Sequence, residues 1–134
     1  MTVLSIDFDG TIIEDGHYPD IGPAIPGAIE SVNKLYDVGY CIIINSCRSY
    51  EAEQNMIKWL CDNNVKFCHV NTNCRHVIDE YGVDCRKISA HVYIDNRNLD
   101  AQIYPLPWDV IVHQIFSLYG THADRKCQMG EDDD

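Results

Sequence analysis

Positive charge is scarce in this chain of 134 residues: 10 lysines and arginines stand against 21 aspartates and glutamates, a formal net charge of −11. Removing the five acids and two bases that follow Ala123 still leaves −8 on the body. A nonspecific nucleic-acid coat needs a basic footprint, so the balance argues against one while leaving room for a local pocket that binds a single phosphate. Long hydrophobic runs are missing too, and no stretch approaches the roughly 20 apolar residues that cross a bilayer. The N-terminus enters an apolar run directly, without a basic segment and an apolar signal core, so a cytoplasmic, reducing location and no membrane partner are expected. The seven cysteines include no Cys-x-x-Cys pair. Cys68, His69, Cys74, His76 and Cys85 lie near one another in sequence, but their spacings match no usual zinc pairing. Cys41, Cys47 and Cys68 sit in or beside apolar runs, where cysteine acts as a small hydrophobe.

What is present is an alternation of strand-like and helix-like segments. Val3 to Ile6 is an apolar run. Residues 8–27 hold three prolines and four glycines and read as a structured loop. Ile29, Val32, Leu35 and Tyr36 recur at helical spacing within Gly27 to Val38, and Gly39 stops that helix. Tyr40 to Ile44 is continuously apolar, as in a strand covered on both faces. Ser49 is placed to cap a second helix through about Asn63, with Ala52, Met56, Trp59 and Leu60 inward. Val65 to Val70 is a third strand candidate, Val77 to Tyr81 a short helix, and His91 to Ile94 a fourth strand. Pro107 opens a last helix over Trp108 to Tyr119, and Gly120 closes it. The pattern predicts an α/β fold with a mainly parallel sheet and helices on both sides. It also predicts one domain over residues 1–120, with residues 121–134 a flexible acidic tail that ends in Glu131, Asp132, Asp133 and Asp134.

The chemistry gathers where strands end. Asp7 and Asp9 follow the first strand, and residues two apart on an extended chain point the same way, so both could face one ligand. Two carboxylates this close need a cation or a proton between them, and Mg²⁺ suits hard oxygen donors and phosphate oxygens alike. One Asp could attack phosphorus to form an aspartyl-phosphate while the other protonates the leaving oxygen and later activates water. Gly10 permits a sharp turn and Thr11 could fix it by hydrogen bonding. Beyond the second strand, Ser46, Cys47 and Arg48 offer a hydroxyl, amides and a cation. With Gly10 and Thr11 they are the candidate phosphate-binding residues. Lys87 could neutralise the nucleophile and the phosphate. Asp95 ends the fourth strand as a further metal ligand, with Asn96 and Arg97 beside it.

In this order the residues resemble the four motifs of the haloacid-dehalogenase superfamily. The resemblance implies a Rossmann-like three-layer sandwich, with Asp7 as nucleophile and metal ligand. It makes Asp9 the general acid/base, lending its backbone carbonyl to Mg²⁺, and it assigns Ser46 to phosphate, Lys87 to the third motif and Asp95 to the metal. A second Asp at position 9 is similar to the phosphatase branch. Tyr18-Pro19, Ile25-Pro26-Gly27-Ala28, Ser46-Cys47-Arg48, Arg86-Lys87 and Ile94-Asp95-Asn96-Arg97-Asn98 resemble a small capless branch, which usually has Asp where this chain has Asn96. The Asp-Arg ending is also similar to the 3′-phosphatase domain of phage polynucleotide kinases. Only 36 residues separate Asp9 from Ser46 and 40 separate Ser46 from Lys87, too few for a folded cap. An open site could be roofed by a second copy of the chain. The expected activity is a Mg²⁺-dependent phosphomonoesterase acting on a small molecule, a nucleotide or, less favoured by charge, a nucleic-acid end. The alternative is a phosphate- and metal-binding module with little turnover, for which Asn96 is the motivating residue.

Overall fold

Among the described residues, four short parallel strands form one sheet. The computed structural model describes residues 1–98, 106–123 and 125. The chain runs β1 (Val3–Ile6), α1 (Ala28–Asp37), β2 (Cys41–Ile44), α2 (Glu51–Asp62), β3 (His69–Val70), α3 (Arg75–Tyr81), β4 (Val92–Ile94) and α4 (Trp108–Tyr119). This is an α/β fold with a Rossmann-like sheet. β1 and β2 are buried along their whole length, as continuous apolar runs in a covered parallel sheet should be.

Side-chain alternation divides the interior in two. Leu4, Ile6, Ile42 and Ile44 point into the main core, where Val32 and Leu35 of α1, Met56 and Leu60 of α2, and Trp108, Val112 and Ile115 of α4 cover them. Val3, Cys41 and Ile43 face the other way into a smaller cluster with Cys68, Cys74 and Ile88. The helices are therefore shared unequally between the two faces.

Several boundaries differ from the sequence expectation for identifiable reasons. β3 is only two residues long because Val65 N–H donates to Leu60 O and Lys66 N–H to the Asn33 side chain, so the chain reaches the sheet only when Cys68 N–H meets Ile42 O. Ser49 does not cap α2; Tyr50 occupies that position with φ 54°, and the Ser49 hydroxyl donates back to Cys47 O at 3.4 Å. Burial of Arg48 draws this segment inward and turns Ser49 away from the helix. α3 starts two residues early, at Arg75. The start of the expected tail is held: Ala123 N–H donates to Val38 O at 2.7 Å, and the Arg125 guanidinium lies 3.8 Å from the Tyr36 ring centre. The acidic residues 131–134 lie outside the described residues.

Connectivity singles out one place on the sheet. From β1 the chain moves outward to β2 and β3, then returns to the opposite side of β1 as β4. The strand order reverses between β1 and β4, and crevices beyond the carboxyl ends of strands at such a point are where open α/β sheets bind ligands.

Candidate active site

The register places two carboxylates side by side at this reversal. Ile6 pairs with Ile94, so Asp7 and Asp95 are the next residues on neighbouring strands, and Asp7 N–H donates to Ile94 O at 2.9 Å. Both line a cleft of about 370 Å³ together with Asp9, Asp15, Tyr18, Ser46, Cys47, Arg48 and Arg97. A separate hollow of about 350 Å³ between β4 and α4 is walled largely by apolar side chains such as Leu106, Ile111 and Leu118. Recognition of a charged group therefore belongs to the first cleft.

Asp7 is electrostatically the most perturbed group there. Burial, then the charge of Asp95, and more weakly that of Asp9, push its carboxyl up to about 7. A Phe8 backbone hydrogen bond and the Thr11 hydroxyl, 3.3 Å from Asp7 Oδ2, oppose this only in part. The site thus favours a proton or a cation on Asp7 at neutral pH.

Asp9 is held differently. Phe8 points into the core against Trp59, with ring centres 5.5 Å apart, while Asp9 turns towards Arg48. Arg48 is 2% exposed and grips both Asp9 oxygens, through Nε to Oδ2 and Nη2 to Oδ1, each at 2.8 Å. Its remaining contacts are to Pro19 O at 3.0 Å and Asp20 O at 2.8 Å, with its planar head over the Phe8 and Tyr18 rings. Four of the five guanidinium donors are thereby used inside the protein. Arg48, expected to bind phosphate, is instead a clamp on Asp9, and the ion pair raises the guanidinium further above its ordinary value.

Gly10 and Thr11, also expected at the phosphate, are structural. Both are buried, and neither lines the cleft. Thr11, Ile12 and Ile13 N–H all donate to Phe8 O, Thr11 O accepts from Trp108 Nε1 at 2.9 Å, and the Thr11 hydroxyl accepts Asn96 N–H at 3.1 Å. The turn after β1 is thus fastened to α4 and to the end of β4. Gly10 has φ +83°, and a Cβ there would fall 2.4 Å from the Asn96 amide. Gly10→Ala should therefore cost about 1–3 kcal/mol, the strain of a left-handed non-glycine residue plus displacement of Asn96. Urea unfolding measures it, and a loss below about 0.5 kcal/mol would mean that the turn relaxes freely.

Asn96 takes up both carboxylates. With its amide turned so that nitrogen faces them, Nδ2 donates to Asp95 Oδ1 at 3.2 Å and to Asp7 Oδ2 at 3.3 Å. A second Asp could not donate these bonds. Arg97 N–H donates to Asp95 Oδ1 at 2.9 Å, and Arg97 itself lines the cleft.

Ser46 and Cys47 line the opposite wall. Ser46 N–H donates to Asn71 Oδ1 at 2.7 Å and its hydroxyl oxygen accepts Arg48 N–H at 3.1 Å, which leaves the hydroxyl proton to donate. Asn71, with φ 55°, is tied in turn to Glu53 at 2.7 Å. Lys87 is not brought to the carboxylates: its side chain is exposed and the ammonium lies over the Tyr93 ring, 5.4 Å from the centre. The segment before β4 is fixed by Asn73, which bonds Asp84, Cys85 O, Lys87 O and Ser89 N–H, and this directs Lys87 along the strand. Sequence reasoning missed Asp15, Tyr18 and Asn71. Tyr18 was legible only as part of a Tyr-Pro pair, and nothing in sequence marks Asn71.

No protein-family model matches the chain, and no curated protein does. Among solved structures, a conserved protein from Bacteroides thetaiotaomicron is similar, with a TM-score of 0.74 and 31% sequence identity over 87% of this chain and 90% of that one. Among the described residues no helix is long and apolar enough to cross a membrane.

Proposed function

We propose that this chain, which belongs to the same family as the conserved Bacteroides thetaiotaomicron protein, is a Mg²⁺-dependent phosphomonoesterase of the haloacid-dehalogenase type. The observation that carries the reading is the pairing of Asp7 with Asp95 at the strand-order reversal, with the Asp7 carboxyl raised to about 7. That pair is short of positive charge and offers hard oxygen donors, which fits Mg²⁺. Asp7 and Asp95 would hold the ion, with the Asp9 backbone carbonyl as a further donor, since the Asp9 carboxylate is committed to Arg48. When bound, the ion supplies the charge that lets Asp7 stay ionised while a phosphate dianion approaches.

Asp7 then attacks phosphorus, the ester P–O bond breaks, and the leaving oxygen takes a proton. Water attacks the aspartyl-phosphate, gives up a proton, and releases inorganic phosphate and free Asp7. As general base in this reading, Asp9 would take the proton from that water through one of the two oxygens that Arg48 now holds. To donate one in the first half it must carry a proton, which requires the Arg48 contacts to loosen. Ser46 and Arg97 both line the cleft and would meet the substrate phosphate there, while the Asn96 amide bridges Asp7 and Asp95.

The test is release of inorganic phosphate from a panel of sugar phosphates, nucleotides, 3′- and 5′-phosphorylated oligonucleotides and an aryl phosphate, with and without Mg²⁺. Mg²⁺-dependent release is expected. Binding of Mg²⁺ and phosphate without release from any substrate would favour the binding module, for which the locked Asp9 and the distant Lys87 are the supporting observations.

Asn96→Asp separates the two roles an amide can play here. The change swaps two donated hydrogen bonds for like-charge repulsion, so the metal-free protein should lose about 1–3 kcal/mol. Mg²⁺ should bind more tightly, since hard cations gain affinity with ligand charge. Calorimetric titration at one pH and ionic strength checks this, and equal or weaker binding would show that the amide is no deficit.

A further inference from the structure

On the sheet face opposite the main core, three soft donors from separate segments converge. Cys41 lies on β2, His69 opens β3, and Cys74 precedes α3; all three are buried, at 0%, 6% and 0% exposure. The pairing of Ile43 with His69 sets the imidazole on the same sheet face as Cys41, two residues earlier on β2. The ligand atoms of the three residues lie within 4.8 Å of one another, and the two sulfurs are 3.2 Å apart. From these limits a point exists no more than about 2.6 Å from all three, against roughly 2.0–2.3 Å for zinc–nitrogen and zinc–sulfur bonds. Movements of a few tenths of an ångström would bring all three donors within bonding distance of one ion, filling three of the four positions of a tetrahedral site.

We propose that Cys41, His69 and Cys74 bind one thiophilic d¹⁰ metal ion, with Zn²⁺ the ordinary occupant, as a structural site distinct from the Asp7 cleft. The donor set is chemically selective: thiolate and imidazole suit Zn²⁺ and disfavour Mg²⁺, whereas Asp7 and Asp95 have the reverse preference. The surroundings are apolar, with Val3, Ile43 and Ile88 in the same cluster. The loop that carries His69 and Cys74 is already ordered. Asn71 is tied to Ser46 and Glu53, and Asn73 to Asp84, Cys85, Lys87 and Ser89, so little conformational entropy remains to be lost on binding. Because Asn71 also receives Ser46 N–H, an ion at this site would brace one wall of the cleft without touching it.

The test uses the full chain, reduced, stripped with a chelator and dialysed, then titrated with Zn²⁺ in competition with a chromophoric chelator. One ion per chain and a rise in melting temperature are expected. Co²⁺ in place of Zn²⁺ should give a thiolate charge-transfer band, which a carboxylate site cannot produce. Cys74→Ser, Cys41→Ala and His69→Gln should each weaken Zn²⁺ binding by at least about 100-fold and remove or shift the band, while Cys61→Ser and Cys85→Ser should leave both unchanged. Circular dichroism of the metal-free variants confirms that each is folded, and Cys74→Ser, nearly isosteric, keeps the test readable if Cys41→Ala is not. No stoichiometric binding, binding that survives all three substitutions, or a Cys41–Cys74 disulfide that resists the reducing conditions of the titration would overturn the proposal.

Discussion

Asp7→Asn is expected to abolish phosphate release and, in the same protein, to increase stability without metal. The first effect follows from loss of the attacking oxygen; a fall of at least about 10³-fold in turnover is the scale for removing a nucleophile. The second follows from electrostatics. Asp7 has its folded-state pKa raised from 3.8 to about 7, so between these values the folded protein binds more protons than the unfolded chain. Stability from this group is therefore fully present below about pH 4 and is lost as pH rises through 7. At 1.36 kcal/mol per pH unit, the metal-free protein should lose on the order of 4 kcal/mol across that interval. The asparagine carries no titrating charge, so its unfolding free energy in the presence of a chelator should be nearly flat over the same range. Added Mg²⁺ should restore the wild-type protein at pH 7.5 and do much less for the variant. Urea unfolding at pH 5 and pH 7.5, with chelator or Mg²⁺, measures all of this. Equal pH dependence in the two proteins would remove Asp7 as the perturbed group, and unchanged turnover in the variant would remove it as the nucleophile.

Arg48→Ala should be the most destabilising single change in the site. Asp9 would keep a largely buried carboxylate with its partner gone, its side chain being 23% exposed and that of Arg48 only 1%. Breaking such a pair from one side costs roughly 3–5 kcal/mol. The carbonyls of Pro19 and Asp20 would lose a donor at the same time, and the Phe8 and Tyr18 rings their stacked cation. Arg48→Lys should recover only part, because an ammonium cannot make the two parallel bonds to one carboxylate. Turnover should fall in both variants through the misplaced Asp9. The result that would overturn the clamp is specific: a stability loss under about 1 kcal/mol with a raised KM and an unchanged kcat would make Arg48 a phosphate ligand after all.

How much of this was readable in one dimension depends on the range of the interaction. Among the described residues the alternation of apolar runs and helical spacing predicts every strand and helix in order, because each element carries its own apolar run or periodic face. The spacing points to Ser49 as a cap, but the pull on it comes from Arg48 reaching Asp9, 39 residues away. β3 is shorter than its apolar run because Val65 and Lys66 bond to α2 and α1 rather than to the sheet. Order along the chain points Lys87 to the carboxylates, but its direction is set by Asn73 and Tyr93. Likewise Cys68, His69, Cys74, His76 and Cys85 gave no usual zinc spacing, since the thiol that completes the trio with His69 and Cys74 is Cys41 on another strand.

By itself the sequence determined the α/β architecture and the location of Asp7, Asp9, Ser46 and Asp95 at strand ends, because hydrophobic period and the succession of elements along the chain are written locally. The tertiary structure alone decided which carboxylates face each other and which is clamped. It set the parallel register that joins Asp7 to Asp95, the burial that lifts Asp7 to about 7, and the buried guanidinium that takes Asp9. Register, desolvation and ion pairing depend on distances through space, and a linear spacing of residues does not carry them.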